Sequence, residues 1–436
     1  MRFRASEVAA ATDGRLVGDD VALVGASFDS RSIQRGQLFV PVVAERDGHD
    51  FVAAAVDAGA GAYLTARPAE RSVEAPAIEV ADTADALMNL ARWGRGRLSG
   101  PVVGITGSVG KTSTKDLVAA AVGAARRVTA NERSFNNEQG LPVTVLGAPD
   151  DVEVLVVEMG MRGFGEIARL CDVARPSIGV VTAVAPSHTE RVGGIEGVAR
   201  AKAELIDALP AGGTAILNAD DDRVAAMSRR TAAAIVTFGH AAEATVRVVA
   251  MTLDQRARPT FQFTSPWGDG AVRLDVPGAH MVGNAAAALA VAGVVGVPVD
   301  AAAAALGSAR LSAGRMEVLA TTSGGVVLND AYNANPASMA AAMRALAGMA
   351  ADRRIAVVGP MAELDDPAPA HRAVASLAGQ LGIELLAVGT DAYGVAPLDQ
   401  GVVAARIGSI GAGTVVLVKA SNSARLFELA TTLSAR

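Results

Sequence analysis

The residues with the clearest chemistry form a glycine-rich run that ends in Gly-Lys-Thr-Ser. The run reads Gly107-Ser108-Val109-Gly110-Lys111-Thr112-Ser113. Glycines let backbone N–H groups approach phosphate oxygens, and a helix that follows such a run directs its positive end at them. The lysine can reach the outer phosphates, and the threonine hydroxyl can hold Mg²⁺. The run therefore predicts an enzyme that uses a nucleoside triphosphate.

This run departs from the general phosphate-loop pattern at one position. The pattern expects a glycine at position 105, where the chain has Ile105, and the nearest glycine is Gly104. A chance match in a chain rich in alanine and glycine is the alternative. The neighbouring motifs decide between the two interpretations.

Two further polar side chains follow apolar runs that are typical of buried strands. Glu158 ends the run 154–157, and His188 comes a few residues after the run 178–184. In parallel α/β sheets, ligands bind beyond the carboxyl ends of the strands. Glu158 should therefore face the same crevice as the phosphate loop, where it suits Mg²⁺. A solvated carboxylate and a structural histidine are the alternatives.

Lys202 occupies an unusual place in a helical pattern. Apolar residues flank it at spacings of three and four, which puts the lysine in the middle of the apolar stripe of a helix. They are Ile195, Val198, Leu205 and Leu209. A lysine there either extends its ammonium to water or is held as the neutral amine, because burial disfavours charge. A neutral amine can take up CO₂ to become a carbamate, which is a carboxylate-like metal ligand.

Strand and helix signals alternate along most of the chain, and the elements that they predict must position these residues. Short runs rich in β-branched residues are each followed by a turn signal and a longer helical stretch, which predicts parallel sheets covered by helices. The runs lie at 101–105, 152–157, 178–184, 214–217, 354–358, 385–388 and 415–418. In the first hundred residues the predicted strands and helices are shorter and do not alternate regularly. Polar or glycine-containing segments at 92–100 and 312–315 are expected to join the domains.

These signals predict an α/β protein of three domains. We expect a small N-terminal α/β domain at 1–98 and a central parallel-sheet domain with the phosphate loop, of the ATPase type, at 99–312. A C-terminal Rossmann-like α/β domain should occupy 313–436.

Composition argues against several classes of protein. The formal net charge of −6 argues against nucleic acid as the main partner. The single cysteine, Cys171, excludes an internal disulfide, and we expect it to be a small buried residue in a reducing compartment. The first residues lack the apolar core of a signal peptide. The apolar stretch 281–299 is interrupted by Asn284 and Pro298, so we expect a buried helix there and no membrane segment.

Together these motifs resemble those of one family, the Mur ligases, which are ATP-dependent amide-forming enzymes of peptidoglycan precursor assembly. The run from Gly104 resembles their phosphate loop, displaced glycine included. Glu158, His188 and Lys202 match their Mg²⁺ carboxylate, Mg²⁺ histidine and carbamylated lysine. Further segments are similar to those of the members that join D-alanyl-D-alanine to UDP-N-acetylmuramoyl-tripeptide, and the resemblance spans essentially the whole chain. These segments are 134–142, 158–160, 165–167, 330–336 and 417–421, with 29–31 and 47–51 resembling the family's uridine-nucleotide domain.

The resemblance implies a reaction in two steps. The γ-phosphoryl group of ATP would pass to a substrate carboxylate, and an amine would then attack the acyl phosphate. Lys111 would neutralise the phosphoryl group. One Mg²⁺ would lie near Thr112 and Glu158, and a second near His188 and carbamylated Lys202.

The resemblance also assigns the binding residues. Besides the phosphate loop, it gives nucleotide contacts to four residues of the central and third domains, namely Asn284, Arg315, Asp330 and Asn333. It implies substrate contacts in two segments, namely at Ser30, Arg31, Asn136 and Asn137. Without the resemblance, Asn284 is equally consistent with a helix cap, and the run 333–336 with a plain turn.

A monomeric cytoplasmic enzyme with UDP-N-acetylmuramoyl-tripeptide and D-alanyl-D-alanine as substrates is the expectation, and three alternatives stay open. A sister ligase that adds a diamino acid would carry an acidic-Asn-Pro-Arg motif, where this chain has Asn335-Pro336-Ala337. An enzyme similar to folylpolyglutamate synthase would share the central domain but would not need the segment 29–31. An inactive nucleotide-binding scaffold would be expected to lose Lys111, Glu158 or Lys202, and all three are present.

Overall fold

The computed structural model describes residues 1–69, 73–132, 134–186, 189–362, 364 and 366–435. Three larger sheets follow one another along the chain, and the strands of each come from one part of the sequence. Helices pack against these sheets, so the predicted α/β class with three units is confirmed. Every predicted strand run contains a strand, with bounds that shift by a few residues.

The first unit consists of short elements. They are β1 (Arg2–Arg4), α1 (Ala5–Ala11), β2 (Arg15–Val17), β3 (Ala22–Val24), β4 (Ala26–Ser27), β5 (Leu38–Phe39), α2 (Val52–Asp57), β6 (Ala62–Thr65), β7 (Ala77–Glu79) and α3 (Thr83–Arg95), with a 3₁₀ turn at Gly48–Phe51. Strands β1 and β3 form an antiparallel pair. The others form a sheet in the order β2-β7-β6-β5-β4, antiparallel between β2 and β7 and parallel elsewhere.

The second unit is built on a nine-stranded sheet in the order β16-β15-β14-β13-β12-β11-β8-β10-β9. Its elements are β8 (Val102–Thr106), α4 (Lys111–Gly123), β9 (Val128–Ala130), α5 (Gly140–Gly147), β10 (Val154–Glu158), α6 (Glu166–Ala174), β11 (Ile178–Val181), α7 (Thr189–Val192), α8 (Ile195–Asp207), β12 (Thr214–Asn218), α9 (Asp222–Ala225), β13 (Ala234–Gly239), β14 (Val246–Leu253), β15 (Pro259–Thr264), β16 (Gly270–Arg273), α10 (Met281–Val294) and α11 (Val299–Gly307), with a 3₁₀ turn at Ala226–Arg230. Strands β8, β10 and β11 are buried throughout, as central parallel strands with helices on both faces must be.

At one edge this sheet continues into an antiparallel ladder that the alternation of strand and helix did not predict. Strand β15 pairs antiparallel with both β14 and β16. In β15 the side chains of Phe261 and Phe263 are buried, whereas Gln262 is exposed. This is the two-residue period of a strand with one face in water, rather than the continuous apolar run of a parallel strand. The predicted parallel sheet is therefore present, with an antiparallel extension at this edge that was not predicted.

The third unit has a five-stranded sheet in the order β17-β18-β21-β19-β20, parallel except for the pair β17–β18. Its elements are β17 (Glu317–Ala320), β18 (Val326–Asn329), α12 (Pro336–Gly348), β19 (Arg353–Val358), α13 (Pro367–Gln380), β20 (Glu384–Ala387), α14 (Gln400–Ile407), β21 (Thr414–Lys419) and α15 (Phe427–Ser434), with a 3₁₀ turn at Asn422–Ala424. Asn335 caps α12 and Pro336 is its first residue. The Asn-Pro pair therefore starts a helix, and the alternative of a plain turn is wrong.

The first and second units share one apolar core. Helix α3 packs on α5 and α6, and the fully buried Leu87, Leu90 and Leu146 belong to the same cluster. The joint that was expected at 92–100 is shorter, because Arg92 and Arg95 belong to the last turn of α3. Basic residues are favoured in the last turn of a helix, because their positive charge compensates the negative end of the helix dipole.

Residues 308–316 connect α11 to β17 and so lead into the third unit. Asp116, on the helix that follows the phosphate loop, accepts hydrogen bonds from Ser312 N at 2.7 Å and from Ser312 Oγ at 3.1 Å. A second contact joins the β14–β15 turn to the segment after α12, where Ala350 N donates to Gln255 O at 2.7 Å. Buried apolar residues of the second and third units also belong to one cluster, so apolar packing holds the third unit against the second in addition to these two contacts.

Candidate active site

A cavity of about 690 Å³ lies between the second and third units. It is found at the carboxyl ends of the parallel strands β8 and β10, where ligands bind in sheets of this kind. Its wall combines the phosphate loop, the loop after β9, the start of α10 and the carboxyl ends of β18 and β21. A cavity of this size suits a small-molecule substrate or a nucleotide.

Most of the predicted site residues line this cavity. They are Ser108, Val109, Gly110, Lys111, Thr112, Ser113, Asn136, Asn137, Glu158, Lys202, Asn284, Arg315, Asp330 and Asn333. Gly107 lies behind the wall, where its carbonyl accepts a hydrogen bond from Lys111 Nζ at 2.7 Å. Ser30 and Arg31 belong to the first unit and do not line the cavity. His188 lies outside the described residues.

The phosphate loop folds tightly against two side chains. Gly107 and Gly110 have φ values of +151° and +82°, a backbone region that favours glycine. A Cβ atom on Gly107 would lie 1.9 Å from Thr182 Oγ1, and one on Gly110 would lie 2.6 Å from Asn284 Oδ1. Helix α4 begins directly after the loop, so the unbonded N–H groups of its first turn lie at the cavity. The loop is therefore a glycine-dependent cradle for an anion.

Gly110→Ala is expected to weaken ATP binding by about tenfold. The added methyl group would meet Asn284 Oδ1, and alanine at this positive φ costs about 1 to 2 kcal/mol in addition. The dissociation constant of ATP, measured by calorimetry, checks the prediction. Gly401→Ala in α14 is the matched control, because no described heavy atom lies within 4 Å of the added Cβ. Equal ATP affinity in the two variants would contradict the importance of the loop geometry.

Thr112 and Glu158 form an oxygen pair that suits Mg²⁺. The Thr112 hydroxyl donates to Glu158 Oε2 at 2.7 Å, and Asn136 Nδ2 donates to Glu158 Oε1 at 2.7 Å. Mg²⁺ in proteins is commonly held by one or two such oxygen ligands together with phosphate oxygens and water. The pair therefore fits this ion. The described chain contains no group of three or more His, Cys, Asp or Glu side chains that could hold a metal by themselves.

Lys202 lies in the same cavity wall and is only 2% exposed. Helix α8 carries it among the apolar residues of its buried face. Burial, and secondly the nearby Lys111, lower the pKa of Lys202 well below its ordinary value. The predicted place in an apolar stripe is confirmed, and the alternative of an ammonium extended to water is wrong.

Arg315 reaches from the start of the third unit to the phosphate loop. Its Nη2 donates to Thr112 Oγ1 at 3.0 Å and to Ser134 Oγ at 3.4 Å. Its Cζ lies 4.1 Å from the ring centroid of Tyr332, an arrangement that fixes the guanidinium plane. Its Nε is buried and has no acceptor in the described part of the chain. A buried N–H without a partner is costly.

Asn284, Asp330 and Asn333 lie on the wall shared by α10 and the third unit. Asn284 is the fourth residue of α10, and His280 occupies the cap position, so the alternative of a helix cap is wrong. Asn333 Oδ1 accepts a hydrogen bond from Ala334 N at 2.8 Å. Asp330 is 9% exposed and accepts a hydrogen bond from Lys419 Nζ at 2.5 Å.

Among the residues of the cavity wall to which sequence reasoning gave no role are Lys419, which lies in the resembling segment 417–421, and His280. Lys419 is the last residue of the buried strand β21 and is 2% exposed. A charged residue at the end of an apolar strand was the signal that identified Glu158, so the same rule could have found Lys419. His280 precedes the buried helix α10, and a lone histidine there carries no distinctive signal.

The two predicted substrate segments are connected by an aromatic contact. The rings of Phe28, next to 29–31, and Phe135, next to Asn136, have centroids 5.4 Å apart. Asn137 Oδ1 accepts a hydrogen bond from Gly140 N at 2.9 Å, which fixes the loop before α5. The segment 29–31 of the first unit therefore lies near the part of the cavity wall that carries Asn136.

Cys171 and the apolar stretch at 281–299 have structural roles. Cys171 is buried, and burial, with a smaller effect of Glu204, raises the pKa of its thiol to about 12. The expected small buried residue is confirmed. The stretch forms the buried helix α10 and the start of α11. Among the described residues, no helix has the length and apolar character needed to cross a membrane.

Two parts of the sequence match descriptions of one family. Residues 105–292 match the Mur ligase middle domain, and residues 314–422 match the Mur ligase, glutamate ligase domain. The two matches fall on the two units that enclose the cavity.

Similar proteins agree with this match. The UDP-N-acetylmuramoyl-tripeptide–D-alanyl-D-alanine ligase of Mycobacterium tuberculosis is 43% identical over 396 residues, covering 83% of this chain and 77% of the relative. A crystal structure of MurF from Acinetobacter baumannii has a TM-score of 0.87 at 26% identity, covering 100% of this chain and 99% of that chain. The MurF ligase of Thermotoga maritima in complex with ADP has a TM-score of 0.80 at 26% identity, covering 94% and 96%. With this fold, this phosphate loop and these relatives, the chain belongs to the Mur ligase family.

Proposed function

We propose that this protein is an ATP-dependent ligase that joins D-alanyl-D-alanine to UDP-N-acetylmuramoyl-tripeptide in the synthesis of peptidoglycan precursors. The observation that carries the proposal is that the phosphate loop, Glu158 and Arg315 line the same cavity. The relative from Mycobacterium tuberculosis is named for this reaction, and the similar enzyme from Thermotoga maritima binds ADP. The products are ADP, phosphate and the UDP-linked pentapeptide.

Amide formation from a carboxylate requires an activated acyl group. A carboxylate oxygen of the tripeptide attacks the γ-phosphorus of ATP, the bond to the bridging oxygen breaks, and ADP leaves. The amine of D-alanyl-D-alanine attacks the acyl carbon, the bond to the phosphate oxygen breaks, and the nitrogen loses a proton. Lys111 and Arg315 supply positive charge where negative charge gathers on the transferred phosphoryl oxygens.

Thr112 and Glu158 would hold one Mg²⁺, and Lys202 as its carbamate, with His188, would hold a second. Bound ions of this kind neutralise charge on phosphoryl and carboxylate oxygens. The low pKa of Lys202 supports the modification, because the neutral amine is the form that combines with CO₂, with release of one proton. The resulting carbamate would place a negative charge beside Lys111 instead of a second positive one.

We assign the binding steps to three domains at 1–98, 99–312 and 313–436. Ser30 and Arg31 of the first domain would hold the uridine nucleotide, and the loop with Asn136 and Asn137 would hold the peptide end of the same substrate. The contact between Phe28 and Phe135 supports this path. The adenosine of ATP would lie against the wall between α10 and the third domain. The residues that would contact it are Asn284, Asp330 and Asn333, whose amide and carboxylate groups suit base edges and ribose hydroxyls.

We further propose that the enzyme works as a monomer in the cytoplasm. All residues assigned to the reaction come from one chain, so one chain suffices for the cavity. ATP and UDP-linked precursors are compounds of that compartment. Sedimentation at the concentration used for turnover should give the mass of one chain.

The test of the function is phosphate release from ATP with UDP-N-acetylmuramoyl-tripeptide, with and without D-alanyl-D-alanine, followed by mass analysis of the product. We expect release that needs both substrates and a product with the mass of the pentapeptide. Release only with another amine would keep the ligase chemistry and overturn the amine assignment. ATP binding without release for any acceptor would overturn the function in favour of a nucleotide-binding scaffold.

A further inference from the structure

We propose that Lys419 is a positioning residue that fixes the Asp330 carboxylate and, through it, the backbone that carries Arg315 to the phosphate loop. The proposal rests on the proposed function, in which Arg315 acts on the γ-phosphoryl group of ATP. It adds to that function Lys419, which lies about 100 positions after Arg315 in the chain, at the end of strand β21.

The first link is a buried ion pair at the carboxyl ends of two strands of the third sheet. Strands β18 and β21 are parallel neighbours, with Asn329 opposite Val418. The residues that follow these two, Asp330 and Lys419, therefore lie side by side. Lys419 Nζ donates to Asp330 Oδ2 at 2.5 Å and to Asn333 O at 2.9 Å. Because Lys419 is only 2% exposed, water has little access to these contacts.

The second link joins the carboxylate to the segment that carries Arg315. Asp330 Oδ1 accepts a hydrogen bond from Met316 N at 3.1 Å. Met316 has a φ of +49°, a conformation that a residue with a side chain adopts only when its surroundings hold it. The hydrogen bond to Asp330 is one such restraint. It sets the direction in which the preceding residue, Arg315, leaves the backbone.

The third link is the guanidinium itself. Arg315 contacts Thr112 Oγ1 and lies over the ring of Tyr332, which comes two residues after Asp330. The backbone of Arg315 and the ring below its guanidinium are thus both attached to the Asp330 segment. Since Lys419 fixes this segment at Asp330 and Asn333, loss of the ammonium would release both supports of the arginine.

Charge gives a second reason for a lysine at position 419. The Asp330 carboxylate lines a cavity that we expect to hold the polyanion ATP. An unpaired carboxylate there would repel the phosphates, and a buried charge without a partner destabilises the fold. Burial lowers the pKa of Lys419, while Asp330 opposes that effect. The pair therefore keeps the carboxylate as a hydrogen-bond acceptor without adding net negative charge to the site.

The test is a double-mutant cycle with Lys419→Met and Arg315→Gln. We expect Lys419→Met alone to lower kcat by about tenfold, but by less than about twofold when Arg315→Gln is already present, because no arginine is then left to position. Equal factors in the two backgrounds would overturn the proposal. They would mean that Lys419 acts independently of Arg315, either through the fold or by its own contact with ATP.

The four proteins of the cycle are the unchanged protein, the two single variants and the double variant. Their ATP affinities are also compared by calorimetry, a measurement that does not depend on amide formation. We expect the same pattern, a loss of about fivefold or more that becomes less than about twofold after Arg315→Gln. If the unchanged protein makes no pentapeptide, the proposed function fails, and the cycle on ATP affinity still decides about Lys419.

Two further variants separate positioning from stability. Arg353→Met removes an ion pair with Glu384, 2.8 Å long, at the amino ends of strands β19 and β20 of the same sheet. It is the matched control, and we expect its kcat to stay within about twofold of the unchanged value. If Lys419→Met does not fold, Asp330→Asn/Lys419→Met replaces it in the cycle, since that protein buries no unpaired charge.

Discussion

Lys111→Ala will abolish ATP-dependent phosphate release and amide formation together, with a fall in kcat of about 10³-fold or more. Lys111 is the first residue of α4 and lines the cavity beside the phosphate loop. The loop 107–113 contains no second lysine that could take its place at the transferred phosphoryl group. Both products are measured in the same reaction mixture, phosphate by a coupled assay and pentapeptide by mass.

A control variant shows whether charge alone is sufficient at this position. Lys111→Arg keeps the positive charge but replaces a compact ammonium by a planar guanidinium, so we expect a rate between those of the alanine variant and the unchanged protein. Thermal unfolding of both variants checks that the fold is kept. Near-normal phosphate release by Lys111→Ala would refute the assignment of the phosphate loop.

Lys202→Ala is expected to lower kcat by about 10²-fold or more, and a small carboxylate such as formate should restore part of the loss. The alanine removes the group that would form the carbamate and leaves space in which a carboxylate can lie. Turnover is measured with increasing formate. Lys202→Met is the matched control, because it keeps most of the apolar packing of α8 but fills that space, so we expect it to be inactive without rescue.

The pH dependence of folding stability distinguishes the effect of the Lys202 amine from the effect of its apolar packing. Since the pKa of Lys202 is lowered in the folded state, the unfolded chain binds a proton that the folded chain does not, at pH values between this lowered pKa and the ordinary lysine pKa of about 10.4. In CO₂-free buffer, Lys202→Met should therefore be more stable than the unchanged protein near neutral pH. The difference should shrink as the pH rises toward the ordinary lysine pKa. A fully active Lys202→Met would refute the carbamate.

The features that sequence alone predicted are those set by local patterns. Continuous apolar runs identified the parallel strands because strands buried on both faces have no polar period. Spacings of three and four placed Lys202 on a buried helical face, where the structure has it. Glu158 was found from its position at the end of a strand, and it lies in the cavity.

The features that sequence missed depend on partners far away in the chain. The resemblance placed Arg315 at the nucleotide, but the contact between Lys419 and Asp330, about 90 residues apart in the chain, was not predicted. No local spacing reports such a contact. The antiparallel ladder of β14 to β16 was missed for another reason, because its alternating pattern differs from that of the parallel strands before it. The end of α3 was misplaced because its basic last turn resembles a polar joint.

The core shared by α3, α5 and α6 determines how the protein comes apart on unfolding. Helix α3 cannot leave α5 without exposing Leu87, Leu90 and Leu146 to water. The first two units should therefore melt as one cooperative transition. Residues 1–98 prepared as a separate fragment would present this apolar face to solvent and self-associate. Affinity for the uridine nucleotide is thus a property to be measured on the whole chain.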